Sequence, residues 1–213
     1  MALPLKQILK SPFLNYLFLG LIGAISTLAF SPFDIKPIIF ITLSVLIYSV
    51  ISAKDFTQAL KRSLSWGVGY WIAGTGWLIV SIYYYGEVYL ITSILIFSLL
   101  VILLTFVFTI PLLLTNTLIS SLKIQAKPTK IILVSGIFLL TEFTRYFFLN
   151  GVPWLIPGNI FLDTITQSTY SVFGASFASL LIYLICSIIV QYNKSKITAI
   201  ALVFLFIYLK VFF

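Results

Sequence analysis

The sequence predicts an all-α fold, a polytopic bundle of about seven transmembrane helices, and three observations predict it. The chain is 61% hydrophobic with only 8% charged residues, and its mean hydropathy is +1.16. Its apolar runs reach about 18 residues or more, the length that crosses a bilayer as a helix. Its basic residues fall in the short connections between those runs, which is the topology signal of a membrane protein. The net charge of +8 therefore speaks for membrane topology and against nucleic-acid binding.

The first run, Phe13–Phe30, follows Lys6 and Lys10 and reads as a spanning helix rather than a secretory signal, since further spans come after it. Pro37–Ala53 is the second. The third, Ser63–Tyr85, carries glycines at 67, 69, 74 and 76. Gly67 and Gly74 are seven residues apart, as are Gly69 and Gly76, so each pair recurs on one helix face. Small residues allow close helix packing in lipid; a smooth groove for an acyl chain is the functional alternative. No strand precedes them and no acidic partner follows, so this is not a nucleotide loop. Val88–Leu114, Ile131–Phe148, Tyr170–Tyr192 and Ile197–Phe213 complete the set. Residues 1–213 thus form a single transmembrane domain with no soluble domain.

A cytoplasmic N-terminus places Lys6, Lys10, Lys54, Lys61, Arg62, Lys123, Lys127, Lys130, Lys194 and Lys196 on one side. Only Lys36, Arg145 and Lys210 of the 13 basic residues then fall toward the other. The positive-inside rule so predicts the N-terminus inside and the C-terminus outside, in the periplasm. Three unusual segments share the outer face: SPFDIKP at 31–37, YYYGEVY at 83–89 and NGVPWLIPGN at 150–159.

The segment LTEFTRYFFLNGVPWLIPGN, residues 140–159, holds charge inside an apolar run. Glu142 and Arg145 are three apart and share a helix face. The plain reading is an ion pair locking the helix to its neighbours. The functional reading is a lipid headgroup site, with the guanidinium on phosphate and Glu142 orienting it. In the loop that follows, Pro153 and Pro157 stop helix propagation and Gly151 and Gly158 permit tight turns. Trp154 suits the membrane–water interface. Asn159 adds a polar handle and Asp163 a charge. This loop either caps the bundle or forms a platform for a lipid-bearing substrate. Asp34 reads first as an N-cap for the second span. Tyr83, with Tyr84, Tyr85 and Tyr89, reads as an aromatic belt.

The chain has no histidine and one cysteine, Cys186, which excludes an intramolecular disulfide and multi-cysteine metal sites. Cys186 lies in an apolar span with no Lys, Glu or His beside it, so it is not read as a nucleophile. No catalytic residue, metal ligand or cofactor site emerges.

Three motifs in this order, GAISTLAFSPFDIKP, WGVGYWIAGTGWLIVSIYYYGE and LTEFTRYFFLNGVPWL, resemble the bacterial apolipoprotein N-acyltransferase family, with weaker similarity through VFGASFASLLIYLI. The resemblance implies a protein of the bacterial inner membrane that completes lipoprotein maturation. An acyl chain passes from a phospholipid to the α-amino group of a diacylglyceryl apolipoprotein. It also implies a helical membrane domain carrying an outer nitrilase-like α/β domain, whose Glu-Lys-Cys triad works through a thioester. None of that triad has a counterpart among these 213 residues. The expectation is a shortened or split form, inactive alone, whose partners are phospholipid, diacylglyceryl apolipoprotein and a separate nitrilase-like catalytic polypeptide. Glu142, Arg145, Gly151, Pro153, Trp154, Asn159, Asp34 and Tyr83 are the residues expected to position lipid or substrate. A non-catalytic lipid- or lipoprotein-binding protein is the alternative, and a small lipid transporter ranks below it, because the polar groups gather at one face rather than at the midplane.

Overall fold

Helices account for every regular element in the computed structural model, which describes residues 12–147, 151–164 and 167–192, without a β-strand among them. The helices are α1 (Pro12–Ser26), α2 (Ile38–Ile51), α3 (Phe56–Thr75), α4 (Leu78–Tyr85), α5 (Leu90–Ser121), α6 (Lys127–Phe147) and α7 (Thr169–Gln191), with short 3-10 turns at Thr27–Ala29 and Pro157–Phe161. The seventh expected span, Ile197–Phe213, lies outside the described residues.

Two helices, Leu90–Ser121 and Val172–Gln191, are long and apolar enough to cross a membrane by length and composition; Phe13–Ala29 and Ile38–Ile51 are apolar but shorter. The surface speaks for lipid as solvent. Along α5, Ile91, Leu95, Leu99, Ile110 and Leu114 are all exposed, Ile91 by 75%. Contiguous apolar stripes of this kind are rare on proteins that face water. Several hydroxyls inside the helices bond to carbonyls of the preceding turn, as an environment without water favours, whereas the buried hydroxyls of Ser63, Thr105, Thr109 and Thr115 have no partner among the described residues. Ser26 donates to the Ile22 carbonyl, Thr42 to Ile38 and Thr75 to Trp71.

The expected third span, Ser63–Tyr85, is two helices. It starts earlier, because Asp55 caps α3 by accepting from the Gln58 amide at 2.7 Å while Gln58 Oε1 accepts from the Lys54 amide at 2.8 Å. Reciprocal capping fixes a helix start that hydropathy does not register. It also breaks at Gly76 and Trp77, before α4 begins at Leu78. Helix α5 in turn runs past Leu114 to Ser121 with Pro111 inside it.

The second helix is the centre of the bundle. It packs on α1, α3, α5 and α7. Ile39, Phe40, Leu43, Leu46, Ile47 and Val50 are all buried, and the exposed large side chains Ile41 and Tyr48 lie two turns apart on one face. Beside it, Trp66 stacks on Tyr70 at 4.7 Å and on Phe108 of α5 at 5.7 Å. These aromatic pairs contribute beyond the area they bury.

The closest approach is α1 on α3. A Cβ on Gly69 would strike the Gly20 carbonyl oxygen, and one on Gly23 would strike the carbonyl of Trp66. The four glycines expected to pack helices thus do different things. Gly69 faces α1, Gly67 faces Thr105 of α5, Gly74 faces Leu155, and Gly76 ends α3. The pairs seven residues apart therefore do not share partners, because the helix meets a different neighbour at each level.

Candidate functional site: a pocket at one end of the bundle

The α1–α2 loop, the α3–α4 break and the segment between α6 and α7 come together in the fold. There they enclose a pocket of about 330 Å³. Phe30, Ser31 and Asp34 line it from the first loop, Gly74 and Trp77 from the helix break, and Trp154, Leu155, Asn159, Leu162 and Asp163 from the third segment.

The third segment is held from three sides, by α3, by α7 and by the α1–α2 loop. Leu155 sits at φ 56°, and its carbonyl accepts from Tyr70 Oη of α3 at 2.7 Å. The Leu155 side chain fills the space that Gly74 leaves open. The Gly158 amide donates to Ser179 Oγ of α7 at 2.9 Å, and a Cβ there would lie 2.8 Å from the Ser179 nitrogen. Tyr170 Oη donates to Asn159 Oδ1 at 3.1 Å. The buried Lys36 donates through Nζ to the Leu162 carbonyl at 2.6 Å. Over the pocket the Trp77 and Trp154 rings meet edge to face, with centroids 5.7 Å apart. Tyr70, Ser179 and Lys36 were not singled out from the sequence as site residues. Lys36 alone carried a signal, as a cation on the side the positive-inside rule leaves poor in them.

Of the expected residues, Asp34, Trp154 and Asn159 come together here, with Gly74 and Asp163. Gly151, at φ 98°, and the exposed Pro153 begin the same segment. Asp34 does not cap α2: that helix starts after Pro37 with no side-chain cap. Asp34 adopts φ 52° instead, accepting from the Lys36 amide at its own carbonyl, so its carboxyl is left to the pocket. Tyr83 lies elsewhere, on α4, half-exposed against the Tyr84 ring.

Glu142 is not a pocket residue. It is buried between α6 and α7, where Tyr183 Oη donates to Oε1 at 2.5 Å. Ser135 and Ser187 join the same two helices at 3.2 Å. The expected pairing of Glu142 with Arg145 rests on the Arg145 side chain, which lies outside the described residues. A carboxyl at this depth needs its donors, since buried polar groups left unsatisfied cost about 1–3 kcal/mol each, more when charged. Tyr183→Phe is therefore expected to lower the thermal unfolding midpoint in detergent, with a loss of about 1–3 kcal/mol; an unchanged midpoint would show that this bond contributes nothing.

Cys186 is fully buried and free, within 3.6 Å of the Phe40 carbonyl oxygen. Among the described residues no group of three His, Cys, Asp or Glu side chains is placed to hold a metal ion.

Comparison with known proteins places these elements in a family. The apolipoprotein N-acyltransferase N-terminal domain matches residues 22–188, a stretch from α1 to α7 that contains the whole pocket lining. Apolipoprotein N-acyltransferase of Haemophilus influenzae is 32% identical over 175 residues, covering 80% of this chain and 32% of the relative. That of Haemophilus ducreyi is 31% identical over 180 residues, 84% of this chain and 34% of the relative. That of Pseudomonas syringae pv. tomato is 29% identical over 141 residues, 66% and 27% respectively. The chain spans about a third of the length of the curated relatives it matches.

Proposed function

We propose a function from the premise that this chain belongs to the apolipoprotein N-acyltransferase family, through that family's N-terminal domain. It is the membrane domain that presents phospholipid and diacylglyceryl apolipoprotein for acyl transfer in the bacterial inner membrane. It spans the bilayer seven times, N-terminus in the cytoplasm and C-terminus in the periplasm, with the pocket at the periplasmic face. In this reading a separate nitrilase-like polypeptide supplies the catalytic groups, and Cys186, sealed inside the bundle, is not one of them.

One observation supports the positioning role above others. The loop lining the pocket is held by side chains from α3, from α7 and from the α1–α2 loop. Sites that must present a substrate in one geometry are built on such supports. Asp34, Trp154 and Asn159 shape the surface over which substrate is positioned in this reading, Gly151 and Pro153 shape the turn that carries Trp154 and Asn159, and Arg145 takes lipid phosphate.

The experiment is reconstitution. The chain is co-expressed with the catalytic part of a relative in a bacterium depleted of its own N-acyltransferase, and N-acylation of a lipoprotein is read by mass spectrometry. Acylation that requires both polypeptides is the expected result, and Trp154→Ala should reduce it about tenfold or more, the effect of losing a substrate-positioning contact. Equal acylation without the chain would overturn the proposal. Retention of phospholipid by the purified chain with no acylation under any pairing would favour the binding-protein alternative.

A further inference from the structure

We infer that the pocket is a socket for a cationic side chain, arginine by shape, carried by a polypeptide that covers this end of the bundle. The inference rests on the reading above that further polypeptide sits on this face; the relatives are about three times as long as the segment they share with this chain.

The charge pattern is the first support. The chain carries only five acidic residues against a net charge of +8, yet Asp34 and Asp163 line this one pocket. Among the described residues neither carboxylate has a hydrogen-bond or ion-pair partner. The neighbouring cation, Lys36, is buried with its ammonium on the Leu162 carbonyl and forms no ion pair with either. A cation entering this concavity would meet carboxylates from two different segments.

The second support is the indole pair. Trp77 and Trp154 meet at the same pocket edge to face. Aromatic faces attract cations, and guanidinium most readily among protein groups, since it is flat and weakly hydrated. The same plane offers paired donors to carboxylates. A volume of about 330 Å³ suits one long side chain rather than a folded segment. A phosphatidylethanolamine headgroup would bring its ammonium to these groups only with a phosphate beside the two carboxylates, whereas an arginine side chain brings the cation alone.

The test uses the 213-residue chain labelled with 5-fluorotryptophan in uncharged detergent, where fluorine NMR resolves four tryptophans. Trp77→Phe and Trp154→Phe assign the pocket pair; Trp66 and Trp71 are buried in the core and report on the fold. The probes are a blocked Gly-Arg-Gly peptide and its citrulline isostere, which keeps the shape and lacks the charge. The arginine peptide is expected to shift the Trp77 and Trp154 signals saturably and leave Trp66 and Trp71 in place. The citrulline peptide should shift none of the four signals. Asp34→Asn with Asp163→Asn should weaken half-saturation about five- to tenfold, the effect of two exposed charge pairs. Asparagine keeps the left-handed backbone that both positions adopt. Equal shifts with citrulline, no shift, or an undiminished shift in the double variant would each overturn the inference. So would a saturating shift from phosphatidylethanolamine that the arginine peptide cannot displace, which would assign the pocket to a lipid headgroup. The titration is independent of acyl transfer. A saturable shift beside failed reconstitution leaves the socket and removes the acyltransferase reading; the reverse removes the socket alone.

Discussion

Gly69→Ala and Gly23→Ala are each expected to destabilise the bundle by at least about 2–3 kcal/mol, as overpacking against an unyielding neighbour does. The neighbour here is backbone: the added methyl would enter the Gly20 carbonyl in one case and the Trp66 carbonyl in the other. A flexible side chain could step aside, whereas a helix carbonyl moves only if α1 and α3 separate. Separation would strip contacts from Trp66 and Tyr70, which anchor the aromatic core. It would also pull Tyr70 Oη away from the Leu155 carbonyl and loosen the pocket loop. Two controls sharpen the test. A Cβ on Gly20 would lie 3.3 Å from the Ser65 carbonyl oxygen, tight but tolerable, and one on Gly136 would meet nothing within 4 Å. Gly136→Ala should be neutral or stabilising by up to about 1 kcal/mol, since alanine is the better helix former. Thermal unfolding in detergent reads all four variants. Equal midpoints for Gly69→Ala and Gly136→Ala would refute the close crossing.

Which of these features the sequence carries depends on range. Glycine spacing within the third apolar run marks that run as a packing helix, but its partners Gly20 and Gly23 lie some 45 residues earlier and are ordinary residues of an apolar run until the helices are docked. The loop motifs behave similarly. The turn chemistry of 31–37 and 151–159 is legible locally, and the fold brings Asp34, Trp154 and Asn159 into one pocket. The tyrosines at 83–85 share that expectation and do not line the pocket, because α3 stops at Gly76 and a second short helix carries them away from it. Hydropathy sees no break there, since Trp77 and Leu78 are as apolar as their neighbours. The ties that fix the loop are also out of sequence reach: Tyr70 to Leu155 spans 85 positions and Lys36 to Leu162 spans 126. Glu142 shows the converse. Its burial follows from its apolar surroundings, but its described partner, Tyr183, stands 41 residues away on another helix.

Lys36→Met is expected to release the pocket loop without unfolding the protein. Methionine keeps most of the stem's length and apolar packing but removes the donor to the Leu162 carbonyl. A hydrogen bond from a charged group contributes about 1.5–3 kcal/mol. The loss should be local, because the core around α2 does not involve this contact. The amides of Gly158, Asn159 and Leu162, bonded to Ser179, Ile156 and Asn159 respectively, should then exchange with solvent roughly 10- to 100-fold faster. Amides within α2 should keep their rates, and Lys36→Arg should restore part of the protection by supplying a donor of similar reach. Unchanged exchange at Gly158 in Lys36→Met would mean that Tyr70, Tyr170 and Ser179 hold the loop without it. Global unfolding would mean that the buried ammonium belongs to the core of the fold rather than to the pocket. The local outcome has a functional corollary. Leu162 and Asp163 are adjacent lining residues, so a loop freed at Leu162 no longer holds Asp163 in the pocket wall it shares with Asp34. A cation bound between them should lose affinity in Lys36→Met even though the substitution removes a positive charge from the neighbourhood. Simple electrostatics predicts tighter binding on that change, so the direction of the shift separates a positioning role for Lys36 from a purely electrostatic one.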